Sequence, residues 1–171
     1  FPYSDQVIFK SLHPVEPEGE FRDGNDIDET VFRLVCDLAA AAPAMIPTLQ
    51  KLMMRASPKA TRRVGPAHKI FPSDRTIRFE EMEYELPRAN GMATLKEAIA
   101  YIRRKRMPIA FPFEFRLTAG DDIWMSPFNK GPGASISFHQ YAKMPWREPF
   151  AEIEAIFQAG EGRPHWAKRH T

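Results

Sequence analysis

A single cysteine, Cys36, excludes an internal disulfide and any cysteine-built metal site. No apolar run is long enough to cross a bilayer as a helix. Neither sign of charge dominates, since 24 Lys and Arg stand against 22 Asp and Glu for a net charge of +2. That balance argues against a nucleic-acid partner, which needs a concentrated basic face. The chain has no Gly-rich phosphate loop and no Ser/His/Asp nucleophile pattern. No His/Asp/Glu spacing resembles a metal ligand set. No signal peptide is visible, and the compartment stays open between cytoplasm, periplasm and a peripheral membrane site.

What is present reads as one domain. The 171 residues are 43% hydrophobic and 27% charged, enough to bury a core. The 16 prolines divide the chain into legible segments. Apolar residues Tyr3, Val7, Ile8, Phe9 and Leu12 predict a strand over 3–12, and 14–25 a loop. Asp26 or Asp28 can cap a helix that turns Val31, Leu34, Val35 and Leu38 inward, with Cys36 as a small core residue. A second helix follows Pro43, carrying Ile46, Leu49, Leu52, Met53 and Ala56. Residues 58–66 form a basic loop, and 67–71 a short strand.

From Glu81 to Leu86 the alternation is clean: Met82, Tyr84 and Leu86 face one way, and Glu81, Glu83 and Glu85 the other. That pattern predicts a half-exposed strand. Helices are predicted over 90–106 and 146–159, and strands over 109–118 and 134–141. The basic run Arg103-Arg104-Lys105-Arg106 falls at a helix C-terminus, where cations complement the dipole. The mixture predicts the α+β class with a mainly antiparallel sheet covered by helices.

The strand over 109–118 holds the first candidate chemistry. Phe111, Phe113, Phe115 and Leu117 share a core-facing side, and Glu114, Arg116 and Thr118 the other. Glu114 and Arg116 can orient each other and present directed hydrogen-bond groups to a polar ligand. The same pattern also describes the wet face of a sheet with a weak surface pair. In the next strand His139 shares a face with Ser135, Ser137 and Tyr141. If the two strands are neighbours, His139 joins Glu114 and Arg116, as a base, a hydrogen-bond donor or a structural residue. The chain ends in Arg163-Pro164-His165-Trp166-Ala167-Lys168-Arg169-His170-Thr171. A Trp-centred His and Lys cluster at a raw terminus, with Phe1 rather than Met at the start, suggests a domain cut from a larger enzyme.

Taken in order, Glu114-Phe115-Arg116, Asp121-Asp122-Ile123-Trp124-Met125-Ser126-Pro127, the strand around His139 and His165-Trp166-Ala167-Lys168 resemble the sugar-lactone oxidases. These are flavoproteins of the vanillyl-alcohol oxidase fold, and they include the alditol oxidases. Phe1-Pro2-Tyr3-Ser4-Asp5 and Met82-Glu83-Tyr84-Glu85-Leu86-Pro87 are similar to the family as well, so the likeness runs over nearly the whole chain.

The resemblance implies that residues 1–171 are a single substrate, or cap, domain that covers a flavin. FAD would be held mainly by an FAD-binding domain of the same protein or of a partner subunit. Glu114, Arg116 and Lys168 match substrate-contacting positions, with Arg116 and Lys168 facing the oxygen that gains charge. His139 falls on a substrate-facing strand position and would accept or relay a proton, and His165 belongs to the terminal motif. Ala167 stands where Gly is common in that motif. The expected substrate is a small, uncharged sugar-1,4-lactone or polyol, oxidised at a hydroxyl. A second expectation, of another class, is a non-catalytic α+β module binding a sugar or other polar ligand. A third, a nucleic-acid-binding domain using Arg62, Arg63, Arg103 and Arg104, meets the objection of balanced charge.

Overall fold

A computed structural model describes residues 1–16, 29–57, 62–71 and 76–170. Asp26 and Asp28, most of the loop expected over 14–25 and the first part of the 58–66 loop lie outside the described residues. The helices are α1 (Glu29–Ala41), α2 (Ile46–Ala56), α3 (Ala67–Ile70), α4 (Arg88–Lys105) and α5 (Arg147–Ala159). The strands are β1 (Phe79–Pro87), β2 (Glu114–Thr118), β3 (Gly133–Tyr141) and β4 (Arg163–Pro164). They form one antiparallel sheet in the order β2-β3-β1-β4. The α+β class with an antiparallel sheet is therefore as the sequence predicts.

Period-two patterning gives the sheet one apolar face. Met82, Tyr84 and Leu86 of β1 lie opposite Phe138, Ile136 and Ala134 of β3. They pack against Ala98 and Ile102 of α4 and Phe150, Ile153 and Phe157 of α5. Each large side chain fully buried there contributes about 1.5–3 kcal/mol. Helix α4 lies close on β3, because a Cβ at Gly91 would stand 2.4 Å from the Ala134 Cβ. The helix ends on Arg106, at φ 54, in a left-handed cap whose following residue, Met107, donates its N–H to Ile102 O at 3.0 Å. Among the described residues no helix is long and apolar enough to cross a membrane.

A second core holds Cys36, Ala39, Ile46, Ile77, Phe111 and Tyr141. Cys36 is buried there as expected, and burial pushes its thiol up to about 12, with Asp37 adding to the rise. The thiol is therefore an inert core group.

Four expectations are corrected. Residues 3–12 form no strand: Tyr3 is pinned through its hydroxyl to Met107 O (2.8 Å), while Val7 and Phe9 are 90% and 88% exposed. The start of the run is held by a side chain instead, with the Pro2 and Ser4 carbonyls accepting from Arg103. Residues 67–70 are a helical turn rather than a strand, started by extended Pro66. On α1, Val31, Leu34 and Leu38 are exposed, and the buried line runs instead through Cys36 and Ala39. The strand expected over 109–118 pairs only from Glu114. Before that, Gln side chains replace the ladder: Gln140 Oε1 accepts from Ala110 N (3.1 Å), and Gln50 Nε2 donates to Ile109 O (2.7 Å). Pro108 and Pro112 have no N–H to give a neighbouring strand, so this stretch cannot be laddered throughout.

Candidate active site

The helices packed on the sheet, α4 and α5, lie on its apolar face, and the other face carries the chemistry. Register brings the odd residues of β1 and β3 together with the even residues of β2. Glu83, Ser137 and Glu114 form one row, and Glu85, Ser135 and Arg116 the next. Glu81 lies opposite His139. The pairing of β2 and β3 thus puts His139 on the same sheet face as Glu114 and Arg116, but in a cluster of its own with Glu81.

Arg116 is the hub of the first cluster. Its guanidinium donates to Glu83 Oε1 at 2.5 Å, to Ser137 Oγ at 3.2 Å and to Glu114 Oε2 at 3.4 Å. The Glu83 side chain is only 7% exposed, whereas that of Arg116 is 52% exposed. The guanidinium is therefore fixed from below and open above. Burial opposes ionisation of Glu83, but the Arg116 charge and hydrogen bond overcome it and hold the carboxyl below its usual range. Next to it, burial pushes Glu85 up, the Ser135 hydroxyl donates to it and opposes the rise, and the Glu83 charge adds to the rise.

Glu81 is the hub of the second cluster. One of its oxygens faces His139 Nε2 at 3.3 Å, and the other accepts from Lys168 Nζ. His139 Nδ1 lies 2.9 Å from Pro112 O, an acceptor only, so Nδ1 carries a hydrogen. Nε2 can then donate to Glu81 only when the ring holds both protons. The ring is buried, edge-on to Phe79.

The terminal segment brings Lys168 to this place. His165 N donates to Glu83 O and Arg169 N to Glu81 O, both at 2.9 Å, so the segment clips onto β1 beyond β4. The Arg169 side chain bonds Glu80 at 2.8 Å and stacks on Trp146, fixing the far side. His165 is half-buried beside β1, where its Nδ1 accepts from Ala167 N at 3.2 Å. The loop after β2 closes one end of the sheet. Asp121 accepts from Ile123 N and Ser126 Oγ, and Arg163 donates to Pro127 O.

Glu81, Glu83 and Glu85 are the residues that sequence reasoning missed. Their alternation reads as the solvent side of a half-exposed strand, yet Glu83 and Glu85 are 6% and 5% exposed. The available signal was the matching cations, since Arg116 and Lys168 each need a carboxylate partner if they are not free.

His139 and then Lys168 draw the Glu81 carboxyl down to about 2, against the burial that raises it. A group depressed in the folded state contributes stability above its ordinary value and loses it as pH falls through about 2. That loss is roughly 3 kcal/mol. Glu85, raised in the fold, runs the other way and favours the folded state on the acid side. Because the Glu81 shift is the large one, a Glu81→Gln variant should lose markedly less stability than the parent between pH 5 and pH 2, about 3 kcal/mol less by urea unfolding.

Residues 1–171 match the model of the D-arabinono-1,4-lactone oxidase family. The chain belongs to that family. It is 34% identical over 176 residues to the L-gulono-1,4-lactone dehydrogenase of Mycobacterium tuberculosis, covering 99% of this chain and 41% of that protein. It is 31% identical over 110 residues to the L-gulonolactone oxidase of Bos taurus, covering 61% of this chain and 25% of the other. It is 25% identical over 182 residues to the L-gulonolactone oxidase of Scyliorhinus torazame, covering 100% of this chain and 41% of that protein. The chain therefore spans about 41% of the curated relatives that it matches along its whole length. Membership carries with it the vanillyl-alcohol oxidase type of fold.

Proposed function

We propose that this chain is the substrate-binding cap domain of an FAD-dependent enzyme that oxidises a hydroxyl of a sugar-1,4-lactone or alditol. The observation that carries the reading is the pair Arg116 and Lys168. Each is bonded to a carboxylate of β1 and still partly exposed on the face opposite the helices.

Removing hydride from a carbinol requires loss of the hydroxyl proton and leaves negative charge growing on oxygen. Cations already fixed in place stabilise that charge without reorganising. Arg116 and Lys168 fit this role, because Glu83 and Glu81 hold them before substrate arrives. Glu114, with its side chain 43% exposed, fixes the outer edge of Arg116 and can accept from a second substrate hydroxyl. Both ring nitrogens of His139 face protein acceptors, so its proton acts on the site through Glu81. His165 borders the substrate beside Lys168.

These donors fit the reacting end of a flavin site. No Gly-rich segment of the chain suits a diphosphate, so the FAD-binding domain of the same protein or a partner subunit would hold that part. Bound FAD supplies the hydride acceptor.

The test uses the full-length flavoprotein, mixed without oxygen with L-gulono-1,4-lactone, D-arabinono-1,4-lactone or xylitol. Bleaching of the visible flavin band by at least one of them is expected. A flavin that stays oxidised with all of a broad lactone and alditol panel overturns the proposal.

A further inference from the structure

We infer that Glu81 is the positioning residue of this site, a single carboxylate that sets the place of Lys168 and His139 together. The inference rests on the cap-domain reading above and deepens it.

Three observations converge on Glu81. Its two oxygens are divided between different groups, one toward His139 Nε2 (3.3 Å) and one to Lys168 Nζ. Those groups arrive from distant parts of the chain, β3 and the terminal segment, and among the described residues Glu81 is the side chain that bonds both. The Glu81 backbone also takes part, since its carbonyl accepts from Arg169 N at 2.9 Å and so fixes the backbone next to Lys168.

The chemistry of the acceptor matters. A carboxylate accepts at both oxygens and can serve two donors at once. An amide accepts at one end and donates at the other, so it can hold Lys168 but offers His139 a donor in place of an acceptor. A leucine holds neither. The neighbouring charged groups do not replace Glu81. Glu83 is engaged by Arg116, Glu80 by Arg169, and Glu85 by Ser135. Without Glu81, Lys168 Nζ therefore loses its anchor on β1, and the ammonium no longer waits at a fixed place for a growing negative charge. Misplacement by about 1 Å is enough to cost on the order of 100-fold in rate.

A merely structural glutamate and a positioning one differ in a double-mutant comparison. In the full-length flavoenzyme, flavin reduction by an aldonolactone is measured for Glu81→Leu, Lys168→Met and the pair. Alone, Glu81→Leu should slow reduction about 100-fold, with the substrate concentration for half-saturation little moved. On the Lys168→Met background the same change should cost no more than about twofold, because the group through which Glu81 acts is gone. Glu81→Asp, which keeps the charge on a shorter stem, should recover part of the loss. Factors that multiply in the pair, or a Glu81→Leu enzyme at the parent rate, overturn the inference. If the Leu variant does not fold, Glu81→Ala, which likewise offers Lys168 no acceptor, carries the same comparison.

A readout independent of turnover separates this inference from the cap-domain reading. In a crystal structure of the full-length Glu81→Leu or Glu81→Ala protein, the Lys168 ammonium or the His139 ring should leave its present place. Both groups unmoved overturn the inference whatever the enzyme does. A Lys168→Met enzyme of normal rate, with the groups displaced in the Glu81 variants, overturns only the proposed role of Lys168.

Discussion

Replacing Lys168 by Met lowers turnover by about 10²–10³-fold in the full-length enzyme, while the flavin stays bound and the protein stays folded. The expectation follows from where Lys168 sits. Its side chain is 31% exposed, so the ammonium is neither loose in solvent nor closed off. Its anchor is Glu81, 16% exposed and drawn down to about 2, so the carboxylate is charged throughout the working range. An ammonium held this way loses little on meeting a substrate oxygen, and its attraction grows as the oxygen becomes negative. A contact stronger in the transition state than in the ground state appears in turnover rather than in half-saturation. Stability should fall by about 1–2 kcal/mol, since Glu81 loses one of its two partners while His139 still faces it and the backbone stays clipped through Arg169 N and His165 O. The measurement is anaerobic flavin reduction over a range of lactone concentrations, with the visible spectrum reporting retained FAD. Reduction within about threefold of the parent rate would remove Lys168 from the site.

The parts of this site legible in the sequence are those that depend on period two and local order. Alternation in β1 and β3 puts Met82, Tyr84, Ile136 and Phe138 inward, and the structure places them there. It also puts Glu114, Arg116 and His139 on the opposite side, and the pairing of β2 with β3 sets them on one sheet face. Illegible were the features set by long-range partners. The glutamates of β1 look solvated until Arg116 and Lys168 arrive from 33 and 87 residues away. Residues 3–12 have strand-like composition, but composition alone makes no strand, and the start of the segment is tied through Tyr3 and the distant Arg103 instead. On α1 the apolar positions outnumber those that the second core accepts, so the buried line could not be chosen from spacing alone. The 109–118 stretch shows the same limit: Gln140 and Gln50 replace backbone partners, which no local pattern announces.

Removing Arg116 has a double cost, and the two parts can be separated. Arg116→Met takes away a cation facing substrate, and turnover should fall by about 10²–10³-fold, as for Lys168. It also leaves Glu83, 7% exposed, ionised without its partner and beside Glu85. Breaking a fully buried pair from one side costs about 3–5 kcal/mol. Here the guanidinium is half exposed, so about 2–3 kcal/mol is the expected loss at neutral pH. Part of that loss should vanish on acidification, because the carboxyls can then take up protons and the stranded charge disappears. Adding Glu83→Gln should restore most of the stability at neutral pH, since an amide in the same place needs no counter-charge and can still accept from Ser137. It should restore none of the turnover, because the cation is still missing. Urea unfolding of the single and double variants at pH 7 and pH 5, alongside flavin reduction, reads both effects. A double variant that recovers activity along with stability would show that Arg116 holds the sheet and does no chemistry.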